Sequence, residues 1–334
     1  MKPADHPPVK HGRIGVLLIN LGTPDAPEAA AVRRYLAEFL SDPRVIEIPR
    51  FAWLPILHGV ILRTRPKKSA HAYKQVWTEE GSPLAAITRR QSAALQERLG
   101  EEVVVDFAMR YGNPGIGQSI KNLAALGCER ILVAPLYPQY CAATTATAMD
   151  AVYATLAKMR RQPALRSLPP YFDDDLHIEA LKASFERQLA ALDFKPQKLL
   201  LSFHGMPQRT LERGDPYQCH CRKPGRLLSE LLSIPTDIAF QSRFGRARWL
   251  EPATDKVLAA YPGEGVTRIA IAAPGFSADC VETAEELGIR GRETFLSSGG
   301  EAFARLECLN DSSEGMTMLE ALLRRELAGW LPQP

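Results

Sequence analysis

Three segments of this chain occur twice in the same order, and that repetition restricts the fold more than any other feature. Leu17–Pro24 (LLINLGTP) is answered by Leu200–Pro207 (LLSFHGMP). Val105–Gly112 (VDFAMRYG) is answered by Asp237–Gly245 (DIAFQSRFG), each closing on Arg, an aromatic residue and Gly. Glu129–Tyr140 (ERILVAPLYPQY) is answered by Thr267–Ala278 (TRIAIAAPGFSA). These are apolar, β-prone runs broken by Gly or Pro, which read as strands and the turns that end them. Between them lie stretches with apolar residues three or four apart, and alternation of strand and helix builds parallel sheets. The repetition predicts an α/β protein of two similar domains, each a parallel sheet flanked by helices, facing across a cleft. The 334 residues suffice for both: 1–170 in the first domain and 171–334 in the second, divided at the proline-containing stretch Ser167–Asp175. Strands are expected near Ile14–Asn20, Val103–Met109, Ile131–Ala134, Lys198–Phe203, Asp237–Gln241 and Ile269–Ala273. The last helix, Glu314–Leu327, is expected to pack back on the first domain.

Charge and cysteine content narrow the function classes. A net charge of +3 with no long basic stripe argues against a nucleic-acid partner. The six cysteines are scattered apart from Cys219-His220-Cys221, which suggests reduced thiols in a cytoplasmic protein rather than a disulfide framework. Met1–Arg13 is polar, lacks an apolar core and reads as a loose arm rather than a signal peptide. No stretch reaches the roughly 18–20 apolar residues that a membrane span requires. The nearest, Phe51–Leu62 (FAWLPILHGVIL), is interrupted by Pro55 and flanked by Arg50, Arg63, Arg65, Lys67 and Lys68. It is either a buried helix or an apolar lip that meets a greasy ligand or a membrane surface.

Chemistry concentrates where Leu199-Leu200-Leu201 gives way to Ser202-Phe203-His204-Gly205-Met206-Pro207. Ligands of parallel sheets bind at the carboxyl ends of strands, so His204 stands there either as a base or metal ligand, or as a turn residue. Equivalent halves bring further strand-end residues to the cleft: Leu21, Arg110, Tyr111, Tyr137 and Tyr140 from the first, Arg243, Trp249, Asp279 and Glu282 from the second. Leu21 takes the place of His204, so the first half supplies apolar walls and the second the reactive groups. Within Pro274–Leu287 (PGFSADCVETAEEL), Glu282 and Glu286 share a helical face. Carboxylates also favour a helix N-terminus without any function, but beside a strand-end His they form a ladder for a divalent ion or for protons. The hydrolase and P-loop signatures do not occur. Cys219-His220-Cys221 has no second pair at zinc spacing and reads as a loop with incidental thiols.

Together these residues resemble the ferrochelatase family, which inserts ferrous iron into a porphyrin. The resemblance runs from about Gly15 to Trp330 through NLGTPDAP (Asn20–Pro27), GSP (Gly81–Pro83), MRYGNP (Met109–Pro114) and YPQY with its threonines (Tyr137–Thr145). It continues in S-x-H-G-x-P (Ser202–Pro207), RGDPY (Arg213–Tyr217), QSRFG (Gln241–Gly245), WLEP (Trp249–Pro252) and D-x-x-E-T-x-x-E-L (Asp279–Leu287). It implies two Rossmann-type, chelatase-like domains with the porphyrin between them, His204 and Glu282 as the essential pair and metal ligands, and Glu286 one turn on. His204 would hold iron or accept a pyrrole proton, while Glu282 and Glu286 guide iron or carry protons away. Leu21, Trp53, Ile56, Leu57 and Trp249 are then expected as apolar walls, Ser82, Arg110 and Arg243 as propionate partners, and Tyr73 and Tyr137 as neighbours of the site. Some family members carry a histidine where this chain has Cys280. With no cysteine after Cys308 and only Cys219/Cys221 closely spaced, no [2Fe–2S] cluster and no other tightly bound cofactor is expected. The expected substrates are protoporphyrin IX and Fe²⁺, handled by a monomer whose apolar lip touches membranes transiently. Coproporphyrin III as substrate and a non-catalytic tetrapyrrole carrier are the alternatives.

Overall fold

A computed structural model describes residues 12–245 and 247–331 of the chain, so most of the expected N-terminal arm lies outside the described residues. In the first half β1 (Arg13–Gly22), β2 (Val103–Tyr111), β3 (Cys128–Pro135) and β4 (Ala164–Ser167) form a sheet in the order β2-β1-β3-β4. In the second, β5 (Lys198–His204), β6 (Thr236–Gln241), β7 (Arg268–Ala272) and β8 (Ala302–Arg305) repeat that order as β6-β5-β7-β8. Every named pairing is parallel. The six expected strands are present, and β4 and β8 add a short outer strand to each sheet.

Alternation along the strands explains how the halves join. Val16 and Leu18 of β1 and Leu132 and Ala134 of β3 turn into one apolar cluster with Leu199, Leu201 and Phe203 of β5 and Ala270 and Ala272 of β7. The residues between them face the other way: Leu17, Ile19, Ile131 and Val133 into a core of the first half, Leu200, Ile269 and Ile271 into one of the second. A one-residue slip of register would exchange these faces, so apolar runs buried on both sides fix the pairing. The last helix, Ser313–Glu326, adds Leu319, Leu322 and Leu323 to the shared core and packs against both Pro83–Leu99 and Asp175–Ala190. Ion pairs Arg98–Glu320 (3.1 Å) and Arg187–Glu314 (2.7 Å) flank it.

Two segments position the cleft. Phe51–Leu62 spans the helix Arg50–Ile56, a π-turn Leu57–Ile61 and the start of the helix Leu62–Val76. It is buried in part and exposed in part: Leu57 and Leu62 are buried against Leu40, while Phe51 (84% exposed), Val60 (54%) and Ile56 (46%) face outward. The acidic segment, expected to place Glu282 and Glu286 on one helical face, is a π-helix over Glu282–Gly291 that continues as the helix Arg292–Ser297. Such i→i+5 segments are rare and recur at functional sites.

Candidate active site

His204 is the last residue of β5 and pairs in register with Gln241, the last residue of β6. The chain then turns through Gly205, whose N–H donates to the Gln241 carbonyl at 2.7 Å. A Cβ on Gly205 would lie 2.6 Å from that oxygen and 3.3 Å from the Trp249 ring, so this turn accepts no larger residue without moving. The imidazole Nδ1 lies 2.7 Å from the Gly205 carbonyl oxygen. A carbonyl can only accept, so Nδ1 carries the hydrogen and the neutral ring keeps its lone pair on Nε2. The Tyr217 hydroxyl donates to the His204 carbonyl at 3.0 Å and holds the backbone that carries the partly exposed imidazole.

The acidic π-helix is fastened beside it. Gln241 Nε2 donates to the Glu282 carbonyl at 2.9 Å. The adjacent Ser242, at φ 63°, donates to Glu286 from its backbone N–H (2.8 Å) and its hydroxyl (2.6 Å). Glu285 takes Arg290 instead (2.9 Å), and Asp279 is consumed by Thr283, Arg305 and Asn310, which makes it an anchor rather than a cleft carboxylate. The helix Leu62–Val76 of the first half packs against this segment and brings Tyr73 to it. Burial, and next the Glu282 charge, hold the Tyr73 phenol well above its ordinary range; burial does the same to Tyr35, with Tyr73 and Glu282 adding to it. Both phenols therefore stay protonated. His204, Glu282 and Tyr73 thus belong to elements that meet, and Glu286 stands tethered one turn behind.

Other expected site residues are committed elsewhere. Arg110 donates to Asp42 (2.5 Å) and to Thr147 Oγ1 (2.7 Å), and lies over the Tyr111 ring. Arg243 is paired with Asp255 at 2.9 Å, and Ser82 is buried, accepting from Thr23 at 2.9 Å. Neither arginine is a free propionate partner as it stands. Leu57 is fully buried beneath the lip and anchors it instead of lining a wall. Trp53 donates from Nε1 to the Leu40 carbonyl (2.7 Å), and Trp249 is buried with its ring 4.9 Å from that of Phe244. Leu21 and Ile56 keep exposed surface. The Tyr137 hydroxyl is buried without a hydrogen-bond partner among the described residues. His220 stacks on Phe172 (3.8 Å) and accepts from the Tyr140 N–H, which fits a structural reading of Cys219-His220-Cys221.

Gln241, Ser242 and Asp42 were not singled out by sequence reasoning. The signal for the first two was on hand in the QSRFG segment, whose Arg drew attention away from the Gln-Ser pair that precedes it. Among the described residues no three His, Cys, Asp or Glu side chains gather as a metal cage.

Known proteins resemble this chain over nearly its whole length. A family model described as ferrochelatase matches residues 13–327. A ferrochelatase of Mesorhizobium japonicum is 52% identical over 98% of this chain and 95% of its own length. One of Rhizobium meliloti is also 52% identical, over 98% of both chains. Among solved structures, SirB from Bacillus subtilis with Fe3+ superposes with a TM-score of 0.57 at 11% identity, over 95% of this chain and 97% of that one. The sirohydrochlorin chelatase SirB in complex with cobalt gives 0.54 at 10% identity, over 94% and 95%. The two structures share the fold; the family model and the relatives at half identity go further, and by them the chain belongs to the ferrochelatase family.

Proposed function

We propose that, in the insertion of ferrous iron into a porphyrin that this family performs, His204 is the proton acceptor and Glu282 the group that carries charge away from the ring. Insertion replaces two pyrrole N–H protons by Fe²⁺, so two protons must leave while the metal sheds water. The observation that carries the reading is the Nδ1 to Gly205 contact of 2.7 Å, which keeps the basic lone pair on Nε2. Glu282 opens the acidic π-helix, near enough to Tyr73 for its charge to raise that phenol, and Glu286 is held one turn on by Ser242. A flat macrocycle shields its in-plane lone pairs, and a cleft that bends the ring with binding energy from its periphery would expose them.

Protoporphyrin IX suits this cleft better than coproporphyrin III. The lip presents Phe51, Ile56 and Val60, whereas Arg110 and Arg243 already have carboxylate partners and offer little to extra propionates. Iron enters as substrate, and the reading requires no resident cofactor. The protein is taken to act as a cytoplasmic monomer whose lip rests on a membrane surface. No helix of the described residues is long and apolar enough to cross a membrane.

An anaerobic assay with purified protein, Fe²⁺ and each porphyrin in turn, with nothing else added, tests the scheme. His204→Ala should lose insertion by at least about 100-fold, the scale of a positioned acid–base group, while porphyrin binding persists. Near-normal turnover in that variant would sink the assignment, and faster turnover of coproporphyrin III would overturn the substrate preference.

A further inference from the structure

We infer that Gln241 is a positioning residue that sets the spacing between the His204 imidazole and the Glu282 segment, and through it the rate of metal insertion. The inference rests on the roles assigned above to His204 and Glu282. Gln241 is buried, and its carbonyl and both side-chain polar atoms are engaged. Its carbonyl accepts from Gly205 N–H (2.7 Å), which holds the turn that carries His204. Its side-chain Oε1 accepts from Ser202 Oγ (2.8 Å), whose hydroxyl also pairs with Thr254 at 2.8 Å. Its Nε2 donates to the Glu282 carbonyl (2.9 Å) at the first residue of the π-helix. The side-chain amide therefore connects the strand end before His204 to the origin of the acidic helix, while the backbone carbonyl of the same residue holds the turn after it.

The neighbouring residue completes the tie. Ser242 holds the Glu286 carboxylate through two hydrogen bonds from a left-handed backbone that a non-glycine residue adopts only at a cost. Two consecutive residues at the end of β6 thus grip the acidic segment at positions four apart. Gln241 itself touches neither glutamate side chain in any contact described, so its influence passes through the backbone of Glu282. An outer partner of this kind typically changes affinity or activity by about 10–100-fold when removed.

Gln241→Met keeps the length and loses both side-chain hydrogen bonds, whereas Gln241→Glu keeps an acceptor for Ser202 and loses the donor to Glu282. Both variants should insert Fe²⁺ with kcat lowered about 10–100-fold, with porphyrin Kd from fluorescence quenching within twofold of the parent. Should Gln241→Met fail to fold, Gln241→Asn takes its place, because it keeps an amide one methylene too short to reach Glu282. A kcat within twofold of the parent in the folded variants would overturn the inference, as would a loss confined to porphyrin Kd. His204→Ala measured in parallel separates the levels. Full activity in that variant defeats the site assignment, whereas an inactive His204→Ala beside a fully active Gln241 variant defeats only the positioning role.

Discussion

Asp42 shows how a single side chain can take an expected ligand group out of solution. Its carboxylate accepts from Thr147 Oγ1, Tyr111 OH (2.9 Å) and Arg110 Nη2 (2.5 Å), and from the Arg44 N–H at 2.8 Å. Burial by itself would raise this carboxyl, but the hydrogen bonds and the Arg110 charge prevail and hold it below the usual range. A depressed carboxyl contributes stability above its unfolded pKa of about 4 and loses it as pH falls through the folded value. Asp42→Asn should therefore lower stability at pH 7 by about 1–3 kcal/mol, since Arg110 and two hydroxyls lose their charged acceptor. As pH falls below about 4 the gap between parent and variant should begin to narrow, closing only once pH passes below the depressed folded value. Urea unfolding at pH 7 and pH 3.5 measures this, and a gap that widens in acid would refute the account. The same variant frees Arg110, so sequence reasoning was right about the residue's place at a strand end but blind to Asp42, which lies 68 positions away. His204 was legible because its partners are local: a strand, a glycine turn and a motif.

At the scale of elements, the lip makes the clearest case. The helix Arg50–Ile56 and the π-turn after it bury Leu57 and expose Phe51, Ile56 and Val60 beside Arg50, Arg63, Arg65, Lys67 and Lys68. Such a face suits an anionic lipid surface, where each nearby cation adds about 1 kcal/mol and a buried Phe or Val about 1.5–3 kcal/mol. Phe51→Ser combined with Val60→Ser should cut sedimentation with anionic vesicles at least tenfold while the melting temperature stays within a degree or two. Unchanged vesicle binding would remove the lip from any membrane role. Elements differed in how legible they were. The six longer strands are legible through their apolar runs, but β4 (ALRS) and β8 (AFAR) are four residues each, none of them buried, and carry no such run. The π-helix at Glu282 is not legible in the sequence because over one turn an α-helix and a π-helix both place Glu286 near Glu282. The helix Tyr217–Leu231 has Asp215 accepting from the Tyr217 N–H, which stabilises its first turn.

For the whole molecule, duplication was visible as repeated strand ends, but the way the halves join was not. Periodicity tells which residues share a face of a strand and is silent on which face meets the other half. The answer is a common core in which β1 and β3 face β5 and β7, sealed by the last helix. Across the cleft mouth the halves touch more lightly, through Glu47 with Arg213 (2.5 Å) and Arg65 over the Phe244 ring (5.3 Å). A large apolar seam makes the two halves one cooperative unit, whereas the mouth contacts are exposed and contribute little each. Leu322 lies in that seam with no exposed surface, on the helix that packs against elements of both halves. Leu322→Ala should therefore cost about 2–5 kcal/mol, from lost burial and the cavity left behind. Calorimetry should show one transition moved to lower temperature as a whole, because neither sheet keeps its inner face covered once the seam opens. Two separated transitions, with one half melting at its original temperature, would mean that the halves fold independently and that the cleft is held by its mouth contacts instead.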